Sequence, residues 1–144
     1  MQDRPTIDEL LAAVEGFLAE DILPHADGVR GFHTRVAVSV LGIVRRELAL
    51  DDTQVAAELD RLEALLGPLA GADAALPARD RRRLVTERSE ALCERIRRGN
   101  TDTGPFRDAV LAHIRATVRA KLEVSNPRWL ASAGAPHPRG AARR

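Results

Sequence analysis

The stretch Gly31–Leu48, GFHTRVAVSVLGIVRREL, decides the fold class, because its apolar residues recur at the spacing of one helix face. At about 100° per residue, the apolar residues fill one arc of the helix, of about half its circumference. The opposite arc is mainly polar, although Val38 and Gly42 lie on it. A helix that is apolar over about half its circumference is expected to lie centrally and contact several others. The apolar arc consists of Phe32, Val36, Ala37, Val40, Leu41, Ile43, Val44 and Leu48.

Two ionisable residues, His33 and Glu47, fall inside this apolar arc. They lie nearly four turns apart, so they cannot form an acid–base pair with each other within the helix. One interpretation is structural, with each side chain meeting a backbone or arginine partner at its own end of the helix. The other places His33 and Arg35 at the mouth of a ligand pocket or on a partner surface.

Helical spacing and end signals predict four further helices around this one. Thr6 and Glu9 form a Thr-x-x-Glu capping box for the first helix, over about 6–23. The helix that contains Gly31–Leu48 is the second in the chain and is expected to end near 50. Cap candidates at 51–53 separate it from a third helix that ends at 66. The fourth and fifth are expected over about 79–98 and 105–124.

The predicted fold class is therefore all-α: a compact bundle of about five helices over residues 1–130. No segment shows the alternation of a strand. Residues 131–144 consist almost entirely of Ala, Gly, Pro and Arg, a composition typical of a disordered tail.

Composition restricts the class of partner. The 144 residues suit one domain, and only 3% are aromatic, so few side chains could stack on bases. Net charge is +1, and four arginines without an acid follow Asn126, so the rest of the chain is slightly acidic. That argues against a nucleic-acid binder. A single cysteine and no apolar run of about 20 residues predict a cytoplasmic protein without a membrane span.

A search for catalytic motifs is negative. The sequence contains no phosphate loop, no dinucleotide-binding turn and no His-Glu-x-x-His motif, and its four histidines lack metal-ligand spacing. We therefore expect no cofactor, no metal and no stand-alone enzymatic activity.

The segment SNPRWL, residues 125–130, follows the fifth helix and contains the only tryptophan, Trp129. Trp129 and Leu130 either fold back and close the bundle or bind a partner. The neighbouring Asn126 and Arg128 are contact candidates as well, because a guanidinium suits a carboxylate or a phosphate.

Four blocks carry a resemblance to a known family: RPTIDELLAAVEGFLAEDILP, GFHTRVAVSVLGIVRREL, ALCERIRRG and KLEVSNPRW, which together span roughly Arg4 to Trp129. They resemble a small bacterial family of unassigned helical domains encoded beside aminoglycoside-phosphotransferase-like kinases and acyl-CoA dehydrogenases. The positions that match this family are Phe32, His33, Arg35, Glu47, Gly99, Asn126, Pro127 and Arg128.

The resemblance implies an accessory subunit. Its partner would be a phosphotransferase-like kinase that phosphorylates a hydroxyacyl-CoA in the catabolism of short acids. Two alternatives stay open. The chain could be a small helical module that binds an acyl-CoA or another anionic ligand, or an enzyme that uses His33 with a carboxylate. The same helical features also fit a homodimer.

Overall fold

A computed structural model describes residues 4–68 and 76–133. The all-α prediction is confirmed: these residues form five α-helices and no strand. A π-helical segment, Phe17–Ile22, and a 3₁₀ turn, Leu23–His25, join the first two. The predicted tail lies outside the described residues from 134 onward, and 131–133 belong to the last helix. The helices are α1 (Ile7–Gly16), α2 (Gly28–Leu66), α3 (Ala78–Arg97), α4 (Pro105–Ser125) and α5 (Pro127–Ala133).

The predicted capping box starts α1. The Glu9 amide donates to Thr6 Oγ1 at 3.2 Å, and the Thr6 amide donates to Glu9 Oε2 at 2.6 Å. Two N–H groups that have no partner inside the helix are thereby satisfied. The helical path then continues through Phe17–Ile22, which agrees with the predicted end of the first helix near 23.

The predicted break at 51–53 is wrong, because α2 runs without interruption from Gly28 to Leu66. Asp51 and Asp52 have low helix propensity, but each costs less than about 1 kcal/mol, and no glycine or proline stops the helix there. Both carboxylates instead bind α3: Asp51 pairs with Arg82, and Asp52 lies 3.9 Å from Arg81.

Packing divides the chain into two units, residues 1–50 and residues 51–144. In the first, α1 lies antiparallel to the first half of α2. Arg45 Nε donates to Asp8 at 2.8 Å, and Arg45 Nη1 donates to Glu15 at 2.8 Å. The hydrogen bond from Arg45 holds the pKa of the Asp8 carboxyl below its usual range. The single domain over residues 1–130 stays a prediction.

The second unit contains the buried apolar cluster of Leu62, Leu92 and Val110, which joins the second half of α2 to α3 and α4. Gln54 Nε2 donates to the Ala120 carbonyl at 3.2 Å, and Thr117 Oγ1 donates to Glu58 at 3.2 Å. These bonds show that α4 runs antiparallel to this half of α2.

The apolar arc of α2 is not the buried centre that its pattern predicts. Five of its large side chains are between 39% and 59% exposed: Phe32, Val36, Val40, Val44 and Leu48. Contacts with α1 are made from the other arc, where Gly42 is buried and Arg45 binds the two carboxylates. A Cβ on Gly42 would lie 3.1 Å from Glu15 Oε1, so the glycine permits this close approach.

Candidate functional site

His33 opens onto a pocket of about 360 Å³ where the connection from α1 meets the start of α2. The connection bends sharply because Gly28 has a φ of +52° and Gly31 lies directly against the Ala26 carbonyl. That approach sets the loop beside the first turns of α2. The pocket is lined by Asp21, Ile22, His25, Ala26, Arg30, His33 and Thr34.

The lining of this His33 pocket is polar, with one guanidinium and one carboxylate. Arg30 supplies a permanent charge, and His25 and His33 each supply an imidazole that can donate or accept a hydrogen bond. Over residues 4–68 and 76–133, no group of three His, Cys, Asp or Glu side chains could hold a metal ion. Arg30 and the two imidazoles can each donate a hydrogen bond to a small anion, although Asp21 opposes it, and the volume lies within the range of small-molecule sites.

Arg35 and Glu47 are not part of the His33 pocket. Both side chains are exposed, and Glu47 lies at the far end of the apolar arc of α2. Within the described part of the chain, Glu47 takes part in no hydrogen bond or ion pair. The structure therefore does not bring His33, Arg35 and Glu47 together in one site.

A second candidate surface is the groove between α4 and α5, with a volume of about 410 Å³. The chain turns back at Asn126, whose carbonyl accepts a hydrogen bond from the Trp129 amide at 3.1 Å. Trp129 remains 53% exposed, so α5 folds back without burying the indole. The lining is Ile114, Arg115, Ala116, Val118, Arg119, Leu122, Trp129 and Leu130.

The two other candidates from the same segment lie beside this α4–α5 groove. Asn126 is exposed and occupies the C-cap of α4, and Arg128 is an exposed residue in the first turn of α5. Neither side chain lines the groove. Arg119 does line it, and its Nε lies 3.4 Å from Glu123.

Sequence reasoning missed His113, which is only 7% exposed. Burial lowers the pKa of its imidazole, and the charge of Arg61 lowers it further while Glu58 opposes the change. The imidazole is therefore neutral at pH 7. Its Nδ1 atom is buried without a hydrogen-bond partner in the described residues.

The spacing of residues along α4 could have indicated that His113 is buried. Val110, His113, Thr117 and Val124 recur every three, four or seven residues and face the core, whereas Ile114 and Val118 face outward. A count of apolar side chains alone gives equal weight to Ile114 and Val118, which line the α4–α5 groove, and it omits His113.

These observations define the class: an all-α protein over the described residues, with an apolar groove beside Trp129 and a small polar pocket beside His33. The chain belongs to the family described as Domain of unknown function (DUF6285), whose model matches residues 24–129. All six candidate residues from the sequence lie within that match. A search of the curated proteins found no match, and neither did a search of the solved structures. Among the described helices, none is long and apolar enough to cross a membrane.

Proposed function

We propose that the chain is a non-catalytic interaction subunit and that the α4–α5 groove binds its partner. The observation that carries the proposal is the half-exposed Trp129, which lines an open apolar groove together with Ile114 and Val118. Tryptophan is the side chain most enriched among residues that dominate binding energy, since it buries a large area at little entropic cost.

The edges of the α4–α5 groove determine which partner surface fits. Arg115 and Arg119 line it, and Arg128 follows from the start of α5. An apolar centre flanked by guanidinium groups suits a partner that offers an apolar side chain beside carboxylates. Charges at such edges act mainly on association rate and specificity, and the apolar centre supplies most of the affinity.

The identity of the partner rests on the family resemblance of the sequence. On that basis the partner is a phosphotransferase-like kinase acting on hydroxyacyl-CoA in short-chain acid catabolism, and the complex forms in the cytoplasm. The chain would stabilise or activate that kinase. The resemblance implies that such a kinase is encoded beside this chain, and if that kinase is soluble and fully active without the chain, the kinase part of the proposal fails.

We expect Trp129→Ala to weaken binding to the neighbouring kinase at least tenfold, or about 1.4 kcal/mol, because the indole is the largest side chain in the groove. Titration calorimetry with the purified kinase measures this loss. Phe17→Ala is the matched control, because Phe17 is an equally exposed aromatic residue outside the α4–α5 groove. Equal affinities for the two variants would contradict the assignment of the groove.

A second function is favoured by a separate observation, the opening of His33 and Arg30 onto one pocket. It is the binding of an anionic small molecule, with an acyl-CoA phosphate as the candidate group. A ligand at 100 times its Kd would stabilise the fold by about 2.7 kcal/mol, visible as a rise in Tm across a panel of CoA esters. Arg30→Ala should abolish the rise. No shift with any ester would rule this function out.

A further inference from the structure

The exposed face of α2 is symmetric in sequence position about Val40, and in the described structure none of its residues contacts α1 through a hydrogen bond or an ion pair. Only its first residue, His33, also lines the His33 pocket. Four exposed residues lie four and seven positions on either side of the exposed Val40, and all five fall within a band of about 80° round the helix. We call this set the α2 seam. It consists of His33, Val36, Val40, Val44 and Glu47.

We propose that the α2 seam binds the same seam of a second copy of this chain, with the two helices antiparallel and the two-fold axis at Val40. In that register Val36 faces the second copy's Val44, and Val40 faces its counterpart. Spacings of three and four residues are those of helices that pack at about 20° with interdigitating side chains. A two-fold interface requires such a self-complementary surface.

The polar groups at the two ends of the α2 seam favour the antiparallel orientation, because an imidazole N–H can donate a hydrogen bond to a carboxylate. In that orientation His33 of each copy lies opposite Glu47 of the other, whereas a parallel pair would set Glu47 against Glu47. Within residues 4–68 and 76–133, neither side chain has a hydrogen bond or an ion pair. His33 and Glu47 cannot meet within one helix, but each would meet the other residue type on the second copy's α2.

The contacts of α1 leave the α2 seam free for this use. Gly42 and Arg45, which bind α1, lie more than 120° round the helix from Val40 at about 100° per residue. Val40 itself is 49% exposed, and the polar residues of the seam, His33 and Glu47, lie seven positions away from it in each direction. The inference does not depend on the proposed kinase partner, because the α4–α5 groove contributes none of its residues.

The first experiment measures self-association of the full chain by sedimentation equilibrium over a range of concentrations. We expect a monomer–dimer equilibrium, and we expect Val40→Glu to raise the dimer Kd at least tenfold by placing two carboxylates on the two-fold axis. Val118→Glu is the matched control, since Val118 is also a 49% exposed valine but lies in the α4–α5 groove. A wild-type chain that stays monomeric throughout overturns the proposal.

An exchange of the two end residues then tests the orientation of the α2 seam. His33→Glu should weaken the dimer by setting carboxylates against each other, and Glu47→His should weaken it by removing the complementary pair. The double variant exchanges the two groups and should restore most of the lost affinity. If the double variant dimerises no more tightly than the single variant with the higher dimer Kd, the antiparallel pairing is wrong.

Disulfide formation tests the register in a Cys93→Ser background, which removes the native thiol. Val40→Cys should cross-link to itself on oxidation. Val36→Cys alone should not, because its two copies would lie about 12 Å apart along the helices, beyond the reach of a disulfide. A mixture of Val36→Cys and Val44→Cys chains should cross-link. Faster cross-linking of Val36→Cys alone than of Val40→Cys overturns the register.

Discussion

Replacing Leu62 with alanine is expected to lower the free energy of unfolding by about 2–5 kcal/mol. Leu62 is 0% exposed and lies in the cluster with Leu92 and Val110, so its truncation leaves a cavity where three helices meet. Because a domain of this size has a total stability of only about 5–15 kcal/mol, the variant should unfold at a much lower denaturant concentration. Urea titration followed by far-UV circular dichroism gives the difference.

Leu10→Ala is the control for the Leu62 prediction. It removes the same atoms from a side chain that is 47% exposed on α1, and we expect a change within about 0.5 kcal/mol. The fluorescence of the single tryptophan, which lies in the same unit as Leu62, provides a second probe. Losses of similar size for the two variants would contradict the placement of the core in the second unit.

Helix existence could be predicted from the sequence because it depends on local chemistry. The capping box of Thr6 and Glu9 and the proline that begins α4 are signals within one turn of the element they start. The boundary at 51–53 could not be predicted in this way. Asp51 and Asp52 have the chemistry of cap residues, but they lie inside the continuous α2. Their carboxylates pair with arginines of α3, about 30 positions away in the sequence.

Burial was harder to predict than helicity. The wheels of α2 and α4 each show which face is apolar, but they do not show which face the rest of the chain covers. In α2 the covered face is the one with Gly42 and Arg45, and in α4 it is the one with His113. A buried histidine and a buried glycine carry no apolar signal, so a count of hydrophobic residues passes over both.

The candidate site was predicted only in part, for the same reason. His33 lies in the first turns of α2 beside the connection from α1, and Arg30 rather than Arg35 shares its pocket. The half-exposed Trp129 combines features of both interpretations of SNPRWL, because α5 folds back while the indole stays accessible. The roles of all these residues remain predictions.

Gly31→Ala is expected to destabilise the chain by about 3 kcal/mol, although helix propensity alone predicts the opposite sign. Alanine normally stabilises a helix by about 0.5–1 kcal/mol relative to glycine. At this position, however, the new Cβ would overlap the Ala26 carbonyl oxygen, a backbone atom that cannot rotate away. Either the loop or the first turn of α2 must shift, at the cost typical of overpacking. Thermal unfolding measures the loss.

Two other glycines make the Gly31 prediction specific. Gly16 is helical, with no atom within 4 Å of an added Cβ, so Gly16→Ala should raise the free energy of unfolding by about 0.5–1 kcal/mol. At Gly42 the Cβ would meet only the ends of the Glu15 and Arg46 side chains, which can move, so the effect should lie between the two. The expected free energy of unfolding of the three alanine variants therefore falls in the order Gly16, Gly42, Gly31, because the added Cβ meets open space, then movable side chains, then backbone. If Gly31→Ala were as stable as Gly16→Ala, the Ala26 carbonyl could not lie against α2 as described. The loop residues that line the His33 pocket would then not be held in place.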